Sequence, residues 1–222
     1  MTDTIELRDA ERLSQEEFER DYYRGNRPVV IGGAVAHWQA LGRWSRGYFE
    51  SLFGDRVVPI DYSQDGFMTY TALRKEANTK RAQMTFREAV AEICTDDADQ
   101  RRCYLRNVSL PDYFPELLED FEPPALIGDP QRITMNHFWY GAPGCVTALH
   151  FDWTNNLLVQ VQGRKHVTLF PASQTPFLYP GGNAPREGDT IDLREHSLLD
   201  IERPDYERFP LFCQARPMTA VL

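Results

Sequence analysis

In the segment TALHFDWTNNLLVQVQGRKHVTLFP, residues 147–171, His150 stands two positions before Asp152, and Lys165 follows thirteen positions later. A neutral imidazole and a carboxylate are both ligands for a divalent metal. With a second histidine they make the facial triad that leaves positions open on Fe(II) for a co-substrate and oxygen. Side chains alternate across a β-strand, so an HxD pair on a strand points both groups to one face. For an isolated HxD the simpler reading is a satisfied His–Asp pair lining a solvated groove. Lys165 shifts that reading. It follows a turn at Gly163 and opens the run KHVTLF, where alternation sets it beside Val167 and Leu169 and opposite His166, Thr168 and Phe170. An ammonium group on an apolar face is costly to bury unless an anion meets it, and a carboxylate of a small diacid is a natural partner. The alternative is a lysine whose stem snorkels to the rim.

Neutral hydrogen-bonding groups surround this set. Thr147 and Asn156 lie near the same face, and Tyr104 in CYLRN offers a phenol from a neighbouring strand. The remaining histidines are weaker ligands. His37 sits beside Trp38 in a helical section and reads as structural, and His137 among aromatics reads as core or groove. His166 faces away from Lys165, and His196 lies in a polar loop and reads as solvated. None supplies a third ligand.

The elements that must position these groups divide the chain. Residues 1–100 read as an α+β region packed on a core. SQEEFERDYYRG and MTFREAVAEI each carry a capping box, Ser14 with Glu17 and Thr85 with Glu88, and the second places Phe86, Val90 and Ile93 on one helical face. RWSRGYFESLFGD reads as a helix capped by Ser45 and ended by Gly54, and RPVVIGGA and RVVPIDY as strands. Residues 101–222 read as the β-core, with strands in CYLRNVSL, ITMNHFWYG, VTALHFD, NLLVQVQG, KHVTLFP and ARPMTAVL. The helical insertion YFPELLEDF and a long rim loop over 172–210 interrupt them. The expectation is one structural domain, mainly β with N-terminal helices, folded as an antiparallel sandwich or jelly roll.

A net charge of −9 argues against polyanionic partners such as nucleic acid or membrane surfaces, leaving RNA only through a local basic patch. No apolar run is long enough to span a bilayer, and the N-terminus lacks a signal-peptide pattern. Cys94, Cys103, Cys145 and Cys213 are scattered without CxxC spacing, which fits free thiols in a reducing, cytoplasmic setting.

Taken together, Thr147, His150 and Asp152 in T-x-x-H-x-D spacing, the run NNLLVQVQGRKHVTLFP and the motif PDYERFP resemble the JmjC or cupin-like hydroxylases. Within that family the likeness reads nearest to the asparaginyl hydroxylases of hypoxia-inducible factor. RPVVIGGAVAHWQALGRWSRGYFESLFGD is similar to the segment that precedes the β-core in these proteins. The resemblance implies a double-stranded β-helix and an Fe(II)- and 2-oxoglutarate-dependent oxygenase. It implies His150 and Asp152 as iron ligands, Lys165 on the distal carboxylate of 2-oxoglutarate, and Thr147, Tyr104 and Asn156 as hydrogen-bonding partners of that co-substrate. The implied reaction hydroxylates a protein or peptide side chain and yields succinate and CO2. The family's third ligand, a late histidine, is missing, so it is expected beyond Leu222 and the β-helix is expected to be C-terminally incomplete. On that expectation this chain alone is inactive, less stable than a complete fold, or prone to associate. Three alternatives stay open: a catalytically silent binding module, a hydroxylase of a tRNA base, and a zinc or manganese cupin isomerase, against which Lys165 speaks.

Overall fold

The computed structural model describes residues 3–64, 66–68, 79–95, 102–181 and 195–222. In chain order the strands are β1 (Asp3–Thr4), β2 (Leu7–Asp9), β3 (Val30–Gly32), β4 (Val57–Ser63), β5 (Phe67–Met68), β6 (Lys80–Thr85), β7 (Arg102–Ser109), β8 (His137–Gly141), β9 (Val146–Thr147), β10 (His166–Leu169) and β11 (Met218–Val221). Between them lie the helices α1 (Gln15–Glu17), α2 (Ala40–Arg43), α3 (Arg46–Phe53), α4 (Phe86–Ile93) and α5 (Leu110–Tyr113).

Local sequence explains where the helices start. Thr85 accepts from the Glu88 amide while the Glu88 carboxylate accepts from the Thr85 amide, so α4 begins on a complete capping box. Ser45 caps α3 through the Tyr48 amide, and Ser14 caps α1 through the Glu17 amide. Beyond Glu17 the helix widens to a π-turn over Phe18–Tyr23, which buries Phe18 and Tyr22 together.

The main sheet runs β6-β4-β7-β8, antiparallel throughout. Period-2 alternation gives it two unlike faces. Val58, Ile60, Cys103, Leu105, Phe138 and Tyr140 face an aromatic core built with Phe49, Phe53, Phe86 and Phe114 from the helices and their loops. Full burial of each such side chain contributes roughly 1.5–3 kcal/mol. The residues between them, Asp61 on β4, Tyr104 and Arg106 on β7 and Trp139 on β8, belong to the opposite face. A bulge between Leu105 and Val108, with Asn107 at φ 56°, lets β7 return Val108 to the core.

Three smaller sheets complete the fold: β1-β11-β10, the parallel pair β2-β3, and the parallel pair β5-β9. The β10–β11 ladder runs on through reciprocal backbone bonds of 3.0 Å between Lys165 and Leu222, which fix the backbone that carries the lysine.

The fold is mostly β with several sheets and few helices, as expected. Some expected strands differ. VTALHFD forms a strand only at Val146–Thr147, and NLLVQVQG forms none, leaving Leu157 and Leu158 about half exposed. An alternating, β-branched run becomes a strand only where a neighbour supplies its ladder bonds, and none lies beside 157–162 among the described residues. The expected rim loop is partly interior, because His196, Ser197 and Leu199 are buried. Its residues 182–194 lie outside the described residues. Among the described residues no helix is long and apolar enough to cross a membrane.

Candidate functional site

His150 and Asp152 do not share a regular strand. His150 makes an isolated antiparallel bridge to His196, and Asp152 lies in the irregular segment that follows. The two side chains nevertheless meet, with Nε2 of His150 3.9 Å from Oδ1 of Asp152. Nδ1 of His150 lies 2.8 Å from the Ala148 carbonyl. A carbonyl only accepts, so Nδ1 carries a proton and donates it to Ala148, while Nε2 is the ring nitrogen turned toward the carboxylate. Asn156 donates its amide to the other carboxylate oxygen, Oδ2, at 2.5 Å. Asn156 thus orients Asp152.

Lys165 is met by a phenol and two rings. Its Nζ donates to the Tyr104 hydroxyl at 2.9 Å and lies 5.5 Å and 6.0 Å from the ring centres of Tyr104 and Trp139. Those rings pack edge to face at 5.7 Å. Ring faces and a phenol oxygen stabilise the ammonium group and leave its remaining N–H bonds for an anion. Gly141 makes room for this arrangement. It pairs with Tyr104 across β7–β8, and a Cβ there would stand 2.5 Å from Cδ2 of the ring. The turn at Gly163 has φ +74°, a conformation that favours glycine and brings the chain round to Lys165. Thr147, half-buried in β9, is in register with Met68 three residues before His150.

His196 corrects the sequence reading. It is buried and stacks on His150, with ring centres 5.5 Å apart and planes at 23°. Burial, then the fields of His150 and Arg106, push its pKa down to about 4 against a weaker opposing effect of Asp152, so the ring is neutral near pH 7. The Arg106 field links this stack to the polar face of the main sheet. There Asp61, fully buried, accepts from Arg106 Nε at 3.1 Å and from Arg81 Nε at 2.7 Å and Nη2 at 3.2 Å. The sequence signal for this pair was the polar alternation within PIDYS and YLRN. His137, expected in the core or groove, is exposed, and His37 pairs with Glu122 at 3.1 Å on the surface. No cluster of three His, Cys, Asp or Glu able to hold a metal occurs among the described residues.

Residues 14–222 match the family description of the cupin-like domain. The chain is similar to lysine-specific demethylase 8 of Xenopus tropicalis, 32% identical over 213 residues, covering 94% of this chain and 44% of that protein. It is also similar to bifunctional peptidase and (3S)-lysyl hydroxylase JMJD7 of Homo sapiens, 30% identical over 231 residues, covering 90% of this chain and 69% of that protein. A third relative is tRNA wybutosine-synthesizing protein 5 of Gallus gallus, 26% identical over 224 residues, covering 96% of this chain and 66% of that protein. The chain spans about half the length of the lysine-specific demethylases that it matches.

Proposed function

The chain belongs to the cupin-like domain family, and from that premise we propose that it is the core of an Fe(II)- and 2-oxoglutarate-dependent oxygenase acting on a protein or peptide side chain. When bound, iron and 2-oxoglutarate would supply the splitting of dioxygen, one oxygen atom entering succinate as CO2 is lost and the other entering a substrate C–H bond. The double-stranded β-helix and the nearness to asparaginyl hydroxylases belong to this proposal, as does a reducing, cytoplasmic setting. The free cysteines support that setting.

The donor set fits such a metal. An imidazole nitrogen and a carboxylate oxygen would be two of its ligands, and His150 Nε2 stands 3.9 Å from Oδ1 of the half-exposed Asp152. In this reading His150 and Asp152 bind the metal, and Asn156 and the Ala148 carbonyl orient them. Lys165 takes the distal carboxylate of 2-oxoglutarate, and Tyr104 holds the lysine and shares the anion. Thr147 and the Asn156 side chain complete the polar wall.

The observation that carries the reading is the lysine held by Tyr104 and Trp139, an anion seat on the fold that also brings His150 and Asp152 together. Anaerobic titration of Fe(II) with 2-oxoglutarate tests it through the charge-transfer absorption of the chelate. A band is the expected result, and no band refutes the reading. A silent binding module is the second reading, and it predicts 2-oxoglutarate binding without turnover. Hydroxylation of a tRNA base draws on the Gallus gallus relative and is opposed by the net charge of −9.

A further inference from the structure

One buried ring beside His150 has no task in the reading above. His196 lies nearly parallel to His150, with ring centres 5.5 Å apart and planes at 23°. The backbone delivers it there. Phe151 donates its amide to the Glu195 carbonyl at 3.0 Å and Ser197 donates to the Leu149 carbonyl at 2.9 Å, so the neighbours of each histidine clip the two segments together. The far side of the 195–199 segment is held as well. Leu198 donates to the Tyr179 carbonyl at 3.0 Å, and Gly181 donates to the His196 carbonyl at 3.3 Å. The hydroxyl of the buried Ser197 donates to the Leu178 carbonyl at 2.6 Å and accepts from the Leu199 amide at 2.9 Å. Three short segments, 149–151, 195–199 and 178–181, therefore lie side by side, with His196 in the middle one.

A histidine ring turns about two side-chain bonds. The 2.8 Å bond from Nδ1 to the Ala148 carbonyl pins one corner of the His150 ring, which can still pivot there and swing Nε2 away from Asp152. A second ring against its face blocks that pivot, and near-parallel rings at this separation also attract in an offset stack. A ligand already held in its binding orientation loses less freedom when a metal arrives, and the saving appears as affinity. His196 joins no group of three possible metal ligands among the described residues, so its contact with His150 bears on orientation. Resting on the oxygenase reading above, we infer that His196 is a positioning residue, whose flat ring holds the His150 imidazole with Nε2 toward Asp152 and so raises the affinity of that pair for a divalent metal.

The test titrates Co(II), which absorbs in the visible, into the full chain in competition with a chelator, while thermal melts report folding. Wild type is compared with His196→Ala, His196→Leu and His196→Phe. Phe keeps a flat ring and removes both nitrogens. Leu fills the space without a flat face and stands in should the Ala variant not fold. Ala and Leu are expected to weaken Co(II) binding by about tenfold or more, and Phe to stay within about threefold of wild type. In the metal-free proteins, imidazole nitrogen NMR reads the tautomer of His150, whose signals are identified by their loss in His150→Gln. A single Nδ1–H tautomer is expected in wild type and His196→Phe, and a mixture of both tautomers in the Ala and Leu variants. Unchanged Co(II) affinity in a folded Ala or Leu variant, a folded Phe variant as weak as those two, or one tautomer throughout overturns the inference. Wild-type protein that binds no Co(II) sinks the oxygenase reading instead, as an absent chelate band does. The His150 tautomer then decides by itself whether His196 fixes the ring.

Discussion

Replacing Gly141 by alanine should disable the lysine seat from across the sheet, without touching Lys165. A Cβ at this position meets Tyr104 at 2.5 Å from Cδ2, 2.8 Å from Cε2 and 3.1 Å from Cγ. Ordinary carbon contacts begin near 3.5 Å, so the ring must retreat by roughly 1 Å. The ring cannot follow freely, because it is 5% exposed and packed on Trp139. Overpacking of this kind costs about 1–3 kcal/mol. A retreat of that size also breaks the 2.9 Å bond to Lys165, and a bond to a charged group contributes about 1.5–3 kcal/mol. Gly141→Ala is therefore expected to lose about 3 kcal/mol in urea unfolding. Tyr104→Ala alone loses about 3–5 kcal/mol by leaving a cavity. In that background the new methyl group meets nothing, so the second substitution should be nearly free and the coupling between the two sites about 3 kcal/mol. A coupling below about 0.5 kcal/mol, the range of independent sites, refutes the steric account of the seat.

Lys165→Met should lower 2-oxoglutarate affinity by about 10- to 100-fold in the chelate titration, and unchanged affinity removes Lys165 from the co-substrate site. Asn156→Ala, which releases Oδ2 of Asp152, should weaken metal binding by about tenfold or more in competition with a chelator. Asp120 accepts from Arg43, Trp44 and Tyr48 at 2.8–2.9 Å, and Asp120→Ala strands the donors of the buried Trp44 and the half-buried Tyr48, costing about 3 kcal/mol in urea unfolding. Burial raises the Asp120 pKa, but the three hydrogen bonds and the Arg43 charge outweigh it and leave the group below its ordinary value. Its contribution is thus full above the unfolded carboxylate pKa of about 3.9 and lost as pH falls through the lower folded value. The stability gap between wild type and Asp120→Asn should narrow only below about pH 4, and a gap that narrows between about pH 7 and 5 refutes this assignment.

Helix starts were legible in the sequence because the signals are local. Ser14, Ser45 and Thr85 each cap a helix, but only Thr85 completes its capping box, because the Glu17 carboxylate pairs with Arg8 instead, and Phe86, Val90 and Ile93 are buried on one face of α4. Strands in CYLRNVSL, KHVTLFP and ARPMTAVL were legible because neighbours exist for them. NLLVQVQG has the same pattern and no ladder partner among the described residues, and pairing is a property of two segments that one segment's pattern cannot report. His196 was misread for a related reason. Its flanks are charged, and only the bridge to His150 brings it inside.

The same reasoning explains why the candidate site was partly visible. His150 and Asp152 were found by assuming one strand, which the structure does not form; they converge through the Ala148 carbonyl on one side and the Asn156 amide on the other. Lys165 was found from its apolar company, and its seat is the opposite face of the sheet whose other side is the aromatic core. The alternation that buries Ile60 and Leu105 thereby aims Asp61, Tyr104 and Arg106 at the interior. A one-residue slip of β4 against β7 would break the pairing of Asp61 with Tyr104 and turn the polar row of one strand into the core. The hydrophobic residues that hold the register are therefore also what positions the charges.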